Sequence, residues 1–467
     1  MFSNFLQLKK NECKELVFEL KKYFKYVSIL GTDVISKRIT CDKMTSNISE
    51  SNDSECGFVL KMTNGDAIFE YSLDDITKDK SALAKEIVES LELTDGLTKK
   101  MINSSIIEDE HFVKSFERES DFNLFSDKDI LNKCVALRDK ILPLDKRILN
   151  AYVGTTTLEV SKIFITANKE LEQHYTWVNG MMVLIYGDEK KIIQAREVTY
   201  SNLIDKALSP LEGKISKLID KAEHLYNAKP IEPGYYDVIT DASITGLIAH
   251  EAFGHGVEMD QFVKDRALAK NFIGKEVASS ITNMRDGAAS SLSAASYFFD
   301  DDGILAHDTQ IIKDGILVSG ISDLTSALEL GTNPTGNGRR ESFKRKAYSR
   351  MTNTFFEKGP DKLEDMIKSI EHGYFLFETN NGMEDPKNWA IQCTAEYGIE
   401  IINGQLTDNY VSPVVMSGYV PDLLKSISMI SNDFELEGAG YCGKGYKEWV
   451  RVSSGGAHLK AKVKLSW

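Results

Sequence analysis

The stretch IAHEAFGHGVEMD, residues 248–260, contains two of the chain's eight histidines, His250 and His255, and Glu251 directly follows the first. It is similar to the metal-binding pattern H-E-x-x-H, but it has one residue more between the histidines. Side chains four residues apart on an α-helix are separated by about 40° around the helix axis, whereas side chains five residues apart are separated by about 140°. Two histidines with this spacing can therefore share a metal ion only if the helix departs from α geometry.

The residues on both sides of His250 predict a helix with a local wide turn. Asp241 or Ser243 can cap the first turn, because their side chains accept hydrogen bonds from free backbone amides. A π-type turn carries i to i+5 hydrogen bonds and recurs at functional sites, and Gly254 permits a break or a close approach of the backbone. We therefore expect a wide turn or a break between His250 and His255, near Gly254.

A third ligand is needed, since catalytic zinc ions have three protein ligands and one open position. The candidates are a cysteine, His307, Glu258 and Asp260. Cys442 stands out because it lies among four glycines in EGAGYCGKGYKEW, residues 437–449, which predicts a tight loop. Lys444 and a bound cation would both favour its thiolate form. Two imidazoles and a thiolate favour zinc over magnesium or calcium.

Glu251 can act as a general base if it reaches a water molecule at the metal ion without binding the ion. Zinc lowers the pKa of such a water molecule to about 7. The alternative is that His250 and His255 form a buried pair near a helix end, with Glu251 in a surface salt bridge.

The composition limits the classes of partner. The chain has 467 residues, of which 42% are hydrophobic and 27% charged, and a net charge of -14, which argues against a nucleic-acid partner. The N-terminal sequence lacks the apolar core of a secretory signal, and no window approaches 18 apolar residues, so we expect no membrane span. Six widely spaced cysteines without a C-x-x-C pair favour reduced thiols in the cytoplasm.

A domain boundary is predicted near residue 229. A helical pattern over residues 203–225 precedes Pro230 and Pro233. The predicted fold class is α+β, with an α/β N-terminal domain of residues 1–228 and a strand-rich C-terminal domain of residues 229–467 that carries the metal site.

Local signals place several elements within these domains. A Ser126 cap predicts a helix, residues 95–125 predict a connection, and residues 459–465 predict a half-buried final strand. Asn64-Gly65 predicts a hairpin with a type I′ turn. Three further hairpin candidates lie at Asp302-Gly303, Asp314-Gly315 and Asn403-Gly404. The run Asp300–Asp302 is interpreted as a turn, and His307 as a strand residue outside the site.

Four separated sequence blocks resemble the TldD/PmbA family of metallopeptidases, and its TldD branch in particular. The blocks are HEAFGHGVEMD (250–260), PTGNGRRESF (334–343), SRMTNTFF (349–356) and SMISNDFELEGAGYCGKG (428–445). They occur in the order typical of the family, and the resemblance covers residues 235–460. It departs from the family at ETNNGMEDPKNWAIQC (378–393), where a glycine-rich segment is usual.

The resemblance implies a zinc-dependent peptidase with one zinc ion per catalytic subunit. In it, His250, His255 and Cys442 would be the ligands, and Glu251 the catalytic base. It also implies a two-domain protomer that forms a homodimer, or a heterodimer with a TldD/PmbA-like subunit. Because the family's PmbA branch lacks the metal motif, which this chain retains whole, we place the chain in the catalytic branch.

Substrate contacts are predicted in the basic run around residues 336–350. Arg339 and Arg340 follow glycines, and their guanidinium groups can bind a peptide carboxylate or carbonyls. Arg350 and Asn353 lie in a segment that predicts a strand beside the site, where an extended peptide can form main-chain hydrogen bonds. The alternative for Lys344–Lys346 is a solvent-facing helix or loop.

We therefore expect a zinc metallopeptidase that hydrolyses unfolded or extended peptides. One alternative is a zinc amidohydrolase acting on small amides. The other is a non-catalytic peptide-binding or regulatory subunit whose zinc is structural.

Overall fold

The computed structural model describes residues 2–92, 107, 109–445 and 448–467. Its N-terminal part is built on one large sheet, and its C-terminal part on two sheets and a short strand pair. This arrangement confirms the α+β class with a strand-rich C-terminal part. The boundary near residue 229 stays a prediction.

The N-terminal sheet has eight strands among the described residues. They are β1 (Tyr26–Cys41), β2 (Ser46–Glu50), β3 (Glu55–Thr63), β4 (Ile68–Leu73), β5 (Phe112–Glu117), β6 (Ile148–Ile165), β7 (Lys169–Gly187) and β8 (Ile192–Ser201). Their order is β4-β3-β1-β6-β7-β5, with β2 beside β1 and β8 beside β7. All pairs are antiparallel except β5 with β7.

Five α-helices pack on this sheet: α1 (Asn4–Leu20), α2 (Lys80–Glu92), α3 (Asp127–Ile141), α4 (Ile204–Leu208) and α5 (Ile215–Asn227). Helices α1 and α2 place Leu16 and Leu83 in one buried cluster with strand residues. Helices α3 and α5 place Leu137 and Leu218 in a second cluster with Val153. Burial of these apolar faces holds the helices on the sheet.

Several predictions for this part are confirmed and others are wrong in detail. Ser126 caps α3 and exchanges hydrogen bonds with Asp129 in a capping box. The pattern over 203–225 is divided into α4, a 3₁₀ segment at Ser209–Lys214 and α5, because Pro210 lacks an amide hydrogen. The predicted connection 95–125 contains strand β5, and its residues 95–106 and 108 lie outside the described residues. The Asn64-Gly65 hairpin exists, but with a four-residue loop between paired Thr63 and Ile68.

The C-terminal part contains fifteen strands among the described residues. They are β9 (Gly234–Thr240), β10 (Met284–Asp286), β11 (Thr309–Lys313), β12 (Ile316–Leu317), β13 (Gly338–Arg339), β14 (Tyr348–Ser349), β15 (Asn353–Phe356), β16 (His372–Asp385), β17 (Ala390–Ile402), β18 (Gln405–Val411), β19 (Val414–Tyr419), β20 (Met429–Ile430), β21 (Glu435–Lys444), β22 (Glu448–Gly456) and β23 (Leu459–Ser466).

Two sheets organise these strands. One has the order β12-β11-β10-β15-β22-β21, so that β21 lies at its edge. The other has the order β16-β9-β23-β19-β17-β18, with β20 beside β23. Strand β16 also pairs with β17, which closes five of these strands into a ring. Short helices connect the strands: α6 (Ala242–Ile248), α7 (Met259–Val263), α8 (Leu324–Leu330), α9 (Leu363–Lys368) and α10 (Val420–Lys425).

Turn chemistry explains the hairpins of this part. Asp314-Gly315 joins β11 to β12, and Asn403-Gly404 joins β17 to β18. All four residues have positive φ angles, as a type I′ turn requires. At Asp302-Gly303 only an isolated bridge, Phe299 to Leu305, joins the flanks.

In the final strand, β23, buried residues alternate with more exposed ones, as predicted. Within the described residues, no helix has the length and apolar character needed to cross a membrane.

Candidate metal centre

The helix that carries the histidines widens where the sequence predicts it. The Asp241 side chain accepts a hydrogen bond of 2.8 Å from the Ile244 amide and so begins α6. The backbone then forms a π-helix over Ala249–Gly254, and the His255 amide donates to the carbonyl of His250, five residues earlier. The two imidazole rings consequently face each other, with centroids 5.0 Å apart and planes at 89°.

Gly254 is required by packing at this turn. A Cβ atom at Gly254 would overlap the sulfur of Met351, which is fully buried. A Cβ atom at Gly246, in α6, would likewise overlap the backbone of Gly455 in β22. Without side chains at these positions, the helix that carries the histidines can pack directly on the sheet that contains β15 and β22.

Cys442 completes a three-donor cluster with the two histidines. Its sulfur lies 3.8 Å from Nε2 of His255, and one donor atom from each of His250, His255 and Cys442 lies within 4.8 Å of the others. The predicted loop around Cys442 is wrong, because the residue lies in strand β21, paired with Val450. The buried guanidinium group of Arg350 donates to the Cys442 carbonyl and fixes this strand beside the helix.

The electrostatics of the cluster favour the thiolate form of Cys442. Burial opposes ionisation of the thiol, but the neighbouring His255 and His250 outweigh it and hold the pKa of Cys442 well below its usual range. Burial likewise opposes protonation of His255, but Cys442 and Glu258 raise the pKa of its imidazole well above the usual range. A thiolate is the form of cysteine that binds metal.

Three charged residues form a chain of contacts that begins at His255 and lies outside the donor cluster. The Glu258 carboxylate lies 3.3 Å from Nδ1 of His255, and Lys444 lies 2.9 Å from Glu258 and 2.6 Å from Asp260. Despite burial, Lys444 and His255 lower the pKa of Glu258 to about 2. Of the candidates for the third ligand, Glu258 instead contacts His255, and Asp260 pairs with Lys444.

The donor set fits a zinc ion. Zinc bonds of about 2.0–2.3 Å in tetrahedral geometry place donor atoms roughly 3.3–3.8 Å apart, and the Cys442 sulfur and His255 Nε2 lie 3.8 Å apart. Histidine ligands of zinc commonly donate their second ring nitrogen to a carboxylate, as Glu258 permits for His255. His250, His255 and Cys442 can supply three of the four ligands of a tetrahedral zinc ion.

The cluster faces a cleft of about 1140 Å³ between the N-terminal and C-terminal parts. The cleft is lined by β8 and α5 from the N-terminal part, and by β16, β21 and β22 from the C-terminal part. Glu251 is buried at its wall, and a Cβ atom on Gly382 of β16 would lie 2.6 Å from Cγ of Glu251. Glu251 thus lies beside the cluster without belonging to it.

Glu384 is a further residue of the cleft, and it was not among the predicted site residues. It lies in the 378–393 stretch, where the chain departs from the family pattern, and β16 of that stretch lines the cleft beside Glu251. Burial raises the pKa of Glu384 well above its usual range, and Glu251 and Glu258 add to the effect while His255 opposes it. A single acidic residue in a strand carries no sequence pattern that would have identified it.

The structure does not bring the four predicted substrate residues to the cleft. Arg339 donates to the carbonyls of Met351 and Arg451. The other three are buried: Arg340 pairs with Glu70, Arg350 binds the Cys442 carbonyl, and Asn353 binds the carbonyls of Gly287 and Ser291. Strand β15 is paired on both sides, by β10 and β22, so it has no free edge for a peptide.

The remaining predicted residues lie elsewhere. His307 is exposed outside the named strands and does not line the cleft. The Asp300–Asp302 run forms a turn, but a buried one whose carboxylates bind distant groups. Asp302 pairs with Lys61, and Asp301 pairs with Lys162 of the N-terminal sheet at 2.5 Å. These pairs join the two parts of the chain, and the sequence did not reveal them.

Comparison with known proteins agrees with the site. Residues 233–461 match the PmbA/TldA metallopeptidase C-terminal domain family. A metalloprotease of Methanothermobacter thermautotrophicus is 30% identical over 244 residues, which are 52% of this chain and 52% of that protein. A zinc metalloprotease TldD homolog of Saccharolobus solfataricus is 29% identical over 282 residues, which are 58% of this chain and 62% of that protein. The chain thus spans little more than half the length of these relatives.

A solved structure extends the likeness to the whole fold. TldE from Thermococcus kodakarensis superimposes with a TM-score of 0.77 over 98% of this chain and 100% of that one, at 17% identity. At this identity the likeness shows a common fold. Residues 233–461, which contain all three donors of the cluster, therefore belong to the PmbA/TldA metallopeptidase C-terminal domain family.

Proposed function

We propose that this protein is a zinc-dependent peptidase that hydrolyses unfolded or extended peptides. The observation that supports it best is the three-donor cluster of His250, His255 and Cys442, which opens onto a cleft of about 1140 Å³ with Glu251 at its wall. A purely structural zinc site is commonly closed by four protein ligands. An open cluster beside an acidic residue favours catalysis.

The shape of the cleft wall suits an extended peptide. Strand β21, which carries Cys442, is the edge strand of its sheet and lines the cleft. Edge strands can bind an extended peptide through main-chain hydrogen bonds, with little dependence on peptide sequence. This favours a peptide over the alternative substrate, a small amide.

Glu251 would perform the proton transfers. A zinc ion in this cluster would supply a Lewis acid that polarises the scissile carbonyl and acidifies water. Glu251 would take a proton from the attacking water and pass it to the leaving amine, as a general base and then a general acid. Glu258 would keep His255 in position through Nδ1.

The Glu251→Gln variant tests the mechanism. It should bind zinc as the wild type does and lose peptide hydrolysis by about 10²-fold or more, since general-base catalysis contributes factors of this size. Glu435→Gln, which removes an exposed carboxylate from the same cleft, should keep its activity. A fully active Glu251→Gln variant would refute the mechanism, and turnover of small amides without peptide cleavage would favour an amidohydrolase.

The Cys442→Ser variant tests the ligand set. Its zinc content after purification should fall well below that of the wild type, because a neutral hydroxyl replaces a thiolate ligand. Cys393→Ser is a matched control, since Cys393 is also buried but lies outside the donor cluster. Equal zinc content in the wild type and the Cys442→Ser variant would show that Cys442 is not the third ligand.

A second subunit of the same family is part of the proposal. The resemblance implies a homodimer or a heterodimer, and exposed Trp449 and Phe434 at the cleft offer apolar surface that a partner or a peptide can cover. We propose that the protein works in the cytoplasm, in keeping with its free cysteines. Sedimentation of the pure protein as a monomer at all concentrations would contradict a homodimer.

A further inference from the structure

Glu384 lies on the strand that runs past the metal cluster. Within β16, Gly382 lies against Glu251, and two residues later Glu384 lies against the histidine segment. A Cβ atom added to Gly256, the residue after His255, would be 3.1 Å from Oε1 of Glu384. Glu384 lines the same cleft as Glu251 and His255.

The Glu384 carboxylate has no partner of its own. Both of its oxygens are inaccessible to solvent, and neither has a hydrogen-bond partner among the described residues. The charged groups that act on it are His255, Glu251, Glu258 and Asp385, and three of these four are acidic. A buried carboxyl group without a partner is costly. The rest of the Glu384 side chain is partly exposed at the cleft, so a small rotation would present the carboxyl group to a partner that enters with the substrate.

The metal ion is not that partner in this geometry. The donors that lie within 4.8 Å of one another are those of His250, His255 and Cys442, and Glu384 is not among them. Within the described chain, no lysine or arginine forms an ion pair with Glu384. The acidic surroundings favour a cationic partner over a neutral amide.

We propose that Glu384 binds a positively charged amine of the substrate beside the scissile bond, so that the enzyme prefers peptides with an aliphatic ammonium group there. The proposal rests on the proposed peptidase function. The ammonium is either the free N-terminus of the peptide or a lysine side chain, and both offer three donor hydrogens to a carboxylate. Glu384 is then a specificity residue of the cleft, and Glu251 is the base.

Peptide binding without turnover tests the proposal. Zinc-loaded Glu251→Gln protein is titrated calorimetrically with penta-alanine amide and its N-acetylated form, which differ in the terminal charge. It is also titrated with acetyl-Ala-Ala-Lys-Ala-Ala-amide and the same peptide with norleucine in place of lysine. We expect the cationic member of at least one pair to bind about tenfold more tightly, and the pair that differs identifies the source of the amine.

Variants assign this preference to Glu384. Adding Glu384→Gln to the Glu251→Gln protein should remove the preference for the cationic peptide and leave binding of the neutral peptides nearly unchanged. Adding Glu435→Gln instead, which removes an exposed charge from the same cleft, should preserve the preference. If the Glu251→Gln protein bound the cationic and the neutral member of each pair equally, the proposal would be overturned before Glu384 is changed. It would also be overturned if the preference survived Glu384→Gln, or if that variant lost its zinc, since Glu384 would then serve the metal.

The two proposals fail separately. If the wild type binds cationic peptides through Glu384 but cleaves none, the peptidase function fails and the ammonium site stands. If the wild type cleaves neutral and cationic peptides at equal rates and binds them equally, the peptidase function stands and the role of Glu384 fails.

Discussion

Glu258 lies three residues after His255, and its carboxylate is 3.3 Å from Nδ1 of that imidazole. The other ring nitrogen, Nε2, consequently faces the sulfur of Cys442 at 3.8 Å. Lys444 holds Glu258 from the far side at 2.9 Å. The acidic residue that follows the metal motif therefore fixes the orientation of a ligand, which is the usual role of a carboxylate that contacts a metal-binding histidine.

Replacing Glu258 with Gln should weaken zinc binding by about 10–100-fold, because the orienting carboxylate of His255 is lost. Competition with a chelator of known affinity measures this. Asp260→Asn is the matched control, since Asp260 also pairs with Lys444 but makes no contact with His255. Equal loss of affinity in both variants would assign the effect to Lys444 and not to His255.

Substitution of Gly254 with Ala should damage both stability and zinc binding. The added methyl group overlaps the sulfur of Met351 beneath the π-helix, and overpacking of this kind costs about 1–3 kcal/mol. Gly213→Ala is the control, because a Cβ atom there meets nothing within 4 Å, and it should be neutral or slightly stabilising. Urea denaturation and zinc titration check both variants; a Gly254→Ala protein that behaves like Gly213→Ala would contradict the packing argument.

Sequence predicted the parts of the site that depend on local geometry. The six-residue span from His250 to His255 cannot put both rings on one ion in an α-helix, so a shared ion required a wide turn or a break near Gly254. Asp314-Gly315 and Asn403-Gly404 similarly predicted their hairpins, since few residues adopt two successive positive φ angles.

The parts that failed depend on contacts between distant residues. The glycines around Cys442 predicted a loop, but three of them lie in strand β21, where Trp449 packs on Gly443 and Trp177 packs on Gly438. The basic residues near 340 were predicted to bind substrate, yet Arg340 pairs with Glu70 of the N-terminal sheet at 3.2 Å. No local pattern indicates a partner 270 positions away.

A buried ion pair between the two parts of the chain should contribute strongly to stability. Lys61 of β3 pairs with Asp302 and, at 3.2 Å, with Glu70. Lys61→Met leaves the Asp302 carboxylate buried without its cation, which should cost about 3–5 kcal/mol. Lys344→Met breaks an exposed pair with Asp74 and should cost less than about 1 kcal/mol. Similar urea midpoints for the two variants would show that the buried pair does not hold the parts together.

Stability should fall as the pH rises, in part because of Glu437 in the cleft wall. Burial raises the pKa of Glu437 from 4.5 to about 7, and the carboxylates of Asp241, Glu378 and Glu435 add to the effect. A carboxyl group whose pKa is raised by folding binds its proton more tightly in the native state. Its contribution to stability is therefore complete below about pH 4.5 and is lost as the pH rises through about 7.

Glu437→Gln should remove this dependence. The Gln side chain can still accept the hydrogen bond from Ser243, but it has no charge to bury. We expect the variant to equal the wild type near pH 4.5 and to exceed it by about 1–3 kcal/mol at pH 8. Urea denaturation of both proteins across this range measures the difference. Glu50→Gln is the control, since Glu50 is an exposed residue of β2 and is not among the groups that raise the pKa of Glu437. A difference that stays constant with pH would show that Glu437 does not titrate in this window, because only a change in its charge makes the two proteins diverge.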